Sequence, residues 1–266
     1  EGKLHGYSGH PEIELALMKL YRATKNERYL KLCEYLINER GKTPNFFEEE
    51  LKARGYKGFW GGGEQRHIDL AYNQSHKPIR EQTEPIGHAV RAGYLYTGAA
   101  DLAAETGDES LKKAMETLWD STVRKQMYIT GGVGSQVYGE AFSFNYHLPN
   151  DTAYNETCAA ISFAFMAKQM LRMDADRKYS DILERLIYNG TISGMSLDGH
   201  HFFYTNPLSM WEEETKRAGV CGHIQSKRPG WFGCACCPPN LARMITSLGS
   251  YIYSSNDTTV YTHLFV

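Results

Sequence analysis

The chain has 266 residues, 42% of them hydrophobic and 23% charged, with a formal net charge of −2. That is enough for one large domain or two small ones with an adequate core. The near-neutral balance and dispersed basic residues exclude a footprint for nucleic acid, and no apolar run approaches the ~18 residues of a membrane span.

Taken in chain order, Ile13, Leu15, Ala16, Leu17, Leu20 and Tyr21 recur at helical spacing. Tyr29, Leu32, Cys33, Leu36 and Ile37 predict a second helix, ended by Gly41. A second pair is predicted from Glu84 to about Thr106 and from Asp108 to about Arg124, turned at Gly107-Asp108. A third runs from about Asn155 to Arg172 and from Ala175 to about Asn189. A last helix starts at Pro238-Pro239, because proline is accepted in a first helical turn, and runs to about Ser254. The segment from Thr259 to Val266 reads as a strand.

Helical hairpins recurring at roughly 70-residue intervals, with long loops between them, predict an all-α fold, part of an (α/α)6 barrel. About eight helices against the twelve of a complete barrel predict a partial one. We therefore expect residues 1–254 to form a partial barrel and 255–266 to begin a β domain. The chain opens at Glu1 without Met or a secretory leader and closes inside a predicted strand, so a fragment is expected, with a cytoplasmic location as the default. Two loops are glycine-rich, Gly58-Phe59-Trp60-Gly61-Gly62-Gly63 and Thr130-Gly131-Gly132-Val133-Gly134-Ser135, and long loops in compact domains are usually functional. Eighteen Tyr and 4 Trp suit stacking against a sugar as well as packing.

The chemistry concentrates in three places. Cys234, Cys236 and Cys237 stand immediately before the last predicted helix, whose N-terminus favours thiolate over thiol. Adjacent Cys236 and Cys237 do not readily pair with each other, so a metal or thiolate site explains the clustering better than three disulfides. Glu156 and Cys158 lie two apart, which on a regular helix points them about 200° from one another. In an extended lead-in they converge, with Asn155 or Thr157 as the helix cap. Glu156, Cys158, Cys236 and Cys237 then make a set that tetrahedral zinc accepts, with a four-thiolate site using Cys234 as the competing arrangement and a plain capping role as the alternative for Glu156. Glu140, among aromatics, is expected to have a raised pKa suited to a general acid, or else to be an ordinary surface carboxylate. His10 and His88 each suit either a sugar contact or a structural role, and His200-His201 reads as an exposed pair.

Three segments together carry a resemblance: Gly6-Tyr7-Ser8-Gly9-His10-Pro11-Glu12-Ile13-Glu14, Tyr154-Asn155-Glu156-Thr157-Cys158 and Cys234-Ala235-Cys236-Cys237-Pro238-Pro239-Asn240. In them the chain resembles glycoside hydrolase family 127, the β-L-arabinofuranosidases. The resemblance implies an (α/α)6 catalytic barrel followed by β-sandwich domains. It implies zinc ligands at Glu156, Cys158, Cys236 and Cys237, Cys236 as nucleophile and Glu140 as acid/base. It also implies sugar contacts from His10, His88 and Tyr204, retaining hydrolysis of a glycoside substrate, and further sugar contacts upstream of position 1. The rivals are another sugar-active enzyme on the same barrel, such as an epimerase or unsaturated-uronyl hydrolase, and a carbohydrate-binding protein with a structural zinc.

Overall fold

A computed structural model describes residues 5–58, 63–217, 219–231 and 233–266. The glycine-rich loop from Gly58 to Gly63 falls mostly outside the described residues. The first hairpin is α1 (Ile13–Thr24) and α2 (Glu27–Glu39). A short α3 (Phe46–Ala53) follows, which the hydrophobic periodicity did not predict, although its signal is present: Asn45 accepts from the Phe47 amide and Glu48 and Glu49 fill the first turn. The second hairpin is α4 (Ala89–Thr106) and α5 (Glu109–Ser121), and the third is α6 (Thr157–Met173) and α7 (Arg177–Arg185). A short α8 (Glu212–Arg217), then α9 (Cys237–Thr246) and α10 (Gly249–Ile252) complete the described α-helices, and π turns carry α5 on through Gln126 and α7 on through Thr191.

The hairpins form an arc with an inner and an outer row. Helices α1, α4, α6 and α9 contact one another in that order, and each of α2, α5 and α7 packs behind its partner. In the two middle hairpins burial follows the rows: α4 and α6 are buried nearly all round, whereas α5 and α7 bury one stripe. Two glycines let the inner helices touch. A Cβ on Gly93 would lie 1.9 Å from Ser162 Oγ of α6, and one on Gly98 would lie 2.6 Å from Glu14 Cβ of α1.

Three boundaries differ from the sequence reading. The helix expected from Glu84 begins at Ala89, because Gly87 adopts φ 74° and the His88 amide is spent on Tyr72 O. The last helix breaks after Thr246, where Ser247 Oγ donates to Arg243 O instead of leaving the ladder intact, and α10 ends at Ile252. The predicted terminal strand shrinks to β2 (Val260–Thr262), paired antiparallel with β1 (Tyr253–Ser255) in the register Tyr253 to Thr262.

Helix N-caps separate the two rows. The outer helices start on short polar side chains that accept a backbone N–H: Asn26 for α2, Asp108 for α5 and Asp176 for α7. The inner helices start on Glu12, His88, Glu156 and Cys236, and only His88 caps through its side chain.

Candidate active site

Those four N-cap residues of the inner row line one cavity of about 630 Å³. Helix starts carry unpaired amides and a partial positive charge, so four of them facing one cavity favour anionic side chains there. His10, Tyr94, Glu140, Cys158, Tyr204 and Arg243 complete much of the wall.

Glu156 is extended at φ −60° and ψ 136°, and α6 begins at the next residue. This lead-in removes the angular separation of a regular helix, and Glu156 and Cys158 reach the same point. The expectation that Asn155 or Thr157 caps α6 is not met. Asn155 sits at φ 43° with its side-chain amide donating to Asn206 O, and Thr157 Oγ1 donates to Phe203 O at 2.8 Å. The Thr157 amide is satisfied by the Tyr204 carbonyl at 2.9 Å, a backbone partner from a distant loop that no local motif announces.

Cys236 is the N-cap of α9 and Cys237 its first residue. Cys158 Sγ lies 3.4 Å from Cys237 Sγ, Cys236 Sγ lies 3.4 Å from Glu156 Oε1 and 3.8 Å from Cys237 Sγ, and Cys237 Sγ lies 3.8 Å from Glu156 Oε1. One ligand atom from each of these four residues fits within 4.8 Å of all the others, so the cluster could hold a metal ion. Glu156 Oε1 is the oxygen that faces the sulfurs, while Oε2 is buried without a hydrogen-bond partner. Cys234 is exposed and outside the cluster, which removes the four-thiolate alternative, and all six cysteines are free.

The electrostatics single out one sulfur. Hydrogen bonding with Cys158 and Cys237, then with Tyr204 and Glu156, brings the Cys236 thiol down to about 2 against the opposing effect of burial. Its partners shift the other way: hydrogen bonding to Cys236 raises Cys158, bonds to Cys158 and Cys236 raise Cys237, and burial raises Glu156 well above the carboxylate range. Tyr204, whose hydroxyl lies 3.3 Å from Cys236 Sγ, is pushed up by burial and by Glu156.

Glu140 ends a short 3-10 turn in which Gly139 has φ 71° and Glu140 itself φ 50°. An antiparallel bridge between His88 and Ala141 sets it beside α4. His88 Nε2 lies 3.0 Å from its Oε2, and the Tyr154 hydroxyl donates to its Oε1 at 2.6 Å. The raised pKa expected of Glu140 is corrected by these partners. Burial does push it up, but the bonds from His88 and Tyr154 outweigh burial and leave it below the ordinary value. Neither partner is adjacent in sequence, so neither entered the expectation. Glu140 also joins His88 and Glu156 in a second group of possible ligand atoms, which ties it to the cysteine cluster through Glu156.

His10 lies in the cavity with its ring 6.0 Å from His88 and 5.9 Å from Tyr94, and burial lowers its pKa. His200 and His201 are exposed and away from the cavity. Sequence reasoning missed Arg243, Tyr94 and Glu12, which form one chain: Arg243 donates to Glu12 at 2.7 Å and to the Tyr94 hydroxyl at 3.1 Å. The signal available was Asn240 of the Cys-Cys-Pro-Pro-Asn segment, whose amide donates to the same hydroxyl at 2.8 Å.

The chain is similar to known proteins throughout. It is 44% identical over 277 aligned positions to a non-reducing end β-L-arabinofuranosidase of Bifidobacterium longum subsp. longum, an alignment covering 100% of this chain and 40% of that protein. Its fold matches a β-L-arabinofuranosidase of the same family from Geobacillus stearothermophilus T6 at a TM-score of 0.93 and 53% identity, over 100% of this chain and 41% of that one. A second solved β-arabinofuranosidase of the family matches at 0.81 and 44% identity, over 98% of this chain and 36% of that one. The chain thus spans about two fifths of the length of these relatives. The family model described as the β-L-arabinofuranosidase, GH127 catalytic domain, matches residues 1–250, and the chain belongs to glycoside hydrolase family 127.

Proposed function

We propose that this chain supplies the catalytic site of a retaining β-L-arabinofuranosidase, with Cys236 as nucleophile, Glu140 as acid/base and zinc held by Glu156, Cys158, Cys236 and Cys237. One observation carries the reading: Cys236 and Glu140 line the same sugar-sized cavity, and each belongs to a cluster of possible ligand atoms that includes Glu156. The choice of metal rests on the donor set. Three sulfurs and one carboxylate are soft enough for zinc. A tetrahedron with Zn–S of about 2.3 Å has edges of about 3.8 Å, and the four ligand atoms are spaced at 3.4–3.8 Å where they touch. Zinc, when bound, supplies positive charge that keeps its thiol ligands deprotonated at neutral pH.

In the first displacement the Cys236 thiolate attacks the anomeric carbon while the glycosidic C–O bond breaks. Glu140 gives its proton to the departing oxygen, and a thioglycosyl link forms on Cys236. A sugar seated over Glu140 excludes water and favours its protonated form, the direction in which burial already acts. In the second displacement Glu140, now a carboxylate, takes a proton from water, whose oxygen attacks the anomeric carbon and returns the sulfur as thiolate. The C–O bond broken and the C–O bond formed lie on the same face, so configuration is retained. His10, His88 and Tyr204 line the cavity, and we assign them the sugar contacts, with His88 sharing its Glu140 hydrogen bond; Tyr204 also lies against the Cys236 sulfur.

The test is metal analysis of the intact protein, with hydrolysis of an aryl β-L-arabinofuranoside followed by NMR. About one zinc per chain and initial release of the β-anomer are expected. Full activity after removal of all metal and alkylation of Cys236 would sink the reading.

A further inference from the structure

Tyr154 belongs to the segment that supplies Glu156 and Cys158, yet it has no place in the steps above. Its hydroxyl donates to Glu140 Oε1 at 2.6 Å. The donor is itself fixed: Tyr154 is 9% exposed, with its ring 6.1 Å from Tyr204 and 5.5 Å from His223, and its carbonyl accepts from the Asn206 amide. The backbone of Glu140 is held by its amide, which donates to Val137 O at 3.1 Å, but that does not fix its side chain. Glu140 stands on two consecutive residues of positive φ in a three-residue turn, and its side chain is 32% exposed.

Both oxygens of Glu140 are held. Oε1 accepts from the Tyr154 hydroxyl, and Oε2 lies 3.0 Å from His88 Nε2, whose ring is turned by the Arg91 amide donating to its Nδ1 at 3.3 Å, which leaves Nε2 as the N–H facing Oε2. The same tyrosine packs edge-on against Tyr204, whose hydroxyl steadies Cys236. Two contacting aromatic rings thus address the acid/base and the nucleophile from one wall.

We infer that Tyr154 is a positioning residue that holds Glu140 through Oε1, fixing the plane of the carboxyl group and so the place from which it delivers and recovers the proton. The inference rests on Glu140 being the acid/base of a β-L-arabinofuranosidase. A carboxyl group free to rotate presents its proton in the wrong place much of the time, and misplacement by about 1 Å costs up to ~100-fold.

The experiment is Tyr154→Phe in the intact protein, which keeps the ring and removes the hydroxyl. The readout is kcat/KM for β-L-arabinofuranosides with an unactivated sugar leaving group and with a nitrophenol, which departs without a proton. A fall of roughly 10- to 100-fold is expected for the sugar leaving group and about threefold or less for nitrophenol. For nitrophenol, kcat should fall as the second displacement becomes limiting, and azide, which needs no base, should restore it. Unfolding temperature and metal content should match the parent. Equal losses for both leaving groups, or no loss for either, would overturn the inference while the activity itself stood. A parent protein that hydrolyses neither substrate would overturn the glycosidase reading, and this inference with it.

Discussion

The sulfurs of Cys158 and Cys237 stand 3.4 Å apart although 79 residues separate them in the chain. One lies in the first turn of α6 and the other opens α9, so the contact exists only because two inner helices present their starts to the same cavity. No disulfide joins them. Cys158→Ala removes one of the four proposed ligands and leaves the other three in place. Loss of a mere outer-shell partner already weakens metal sites by 10- to 100-fold, so at least about a hundredfold loss of metal affinity is expected. Equilibrium dialysis of the intact variant against a zinc buffer measures it, and stoichiometric metal at unchanged affinity would place the ion elsewhere.

The closeness of the inner helices makes a second prediction. Gly93 lies against Ser162 so tightly that an added Cβ would meet Oγ at 1.9 Å and Cβ at 2.7 Å. Gly93→Ala ordinarily stabilises a helix interior, but here α4 must move from α6. A destabilisation of about 1–3 kcal/mol is expected, the usual cost of overpacking. The double variant Gly93→Ala/Ser162→Gly should recover part of it. Denaturant unfolding of both variants gives the comparison, and a stabilised Gly93→Ala would show that the helices are not in contact there.

The helices and the site were legible in the sequence to different depths. The hairpins were legible because 3.6-residue periodicity and the Gly107-Asp108 turn act locally, and α5 does start from Asp108. Glu156, Cys158, Cys236 and Cys237 stood out because clustered thiols are costly as packing, and the structure brings all four together. Glu140 was visible as a carboxyl group but its electrostatics were not. These depend on His88 and Tyr154, 52 and 14 residues away, which come to it through a backbone bridge and a loop. The missing cap of α6 failed for the same reason: a carbonyl from Tyr204 did the work expected of a local side chain.

Asp108 couples a helix cap to pH. Its Oδ1 accepts from the Leu111 amide at 3.0 Å, and its Oδ2 meets Arg80 at 2.5 Å. Burial opposes its charge, but bonds from Ser110, the Leu111 amide and Arg80 prevail and bring its pKa from 3.8 to about 2. The folded pKa is the lower one, so the unfolded chain binds more protons between these values. The stabilisation is complete above about pH 4 and is lost as pH falls towards 2. Asp108→Ala should cost about 1 kcal/mol at neutral pH through the lost cap. Asp108→Asn keeps an acceptor for the Leu111 amide but cannot titrate, so its deficit at pH 7 should shrink towards pH 2. Thermal unfolding across that range tests the pair, and a deficit of Asp108→Asn that is constant with pH would exclude the ionic contribution.

The division of labour proposed for Cys236 and Glu140 predicts opposite kinetic failures. Cys236→Ala removes the proposed attacking atom, so turnover should vanish for every leaving group and azide should not help. Its neighbours Glu156, Cys158 and Cys237 remain to hold a metal, although with one ligand fewer. Glu140→Ala leaves the nucleophile in place. A nitrophenol departs without a proton, so the first displacement should proceed and the second should stall, trapping the sugar on sulfur. Rapid quenching and peptide mass analysis should then find one pentosyl group on the peptide containing Cys236, and azide should clear it as the glycosyl azide of retained configuration. The general-base contribution being withdrawn is typically 100- to 10,000-fold, which is ample for accumulation. A pentosyl group found on Glu156, or on no residue while Glu140→Ala still turns over at the parent rate, would move the nucleophile away from Cys236.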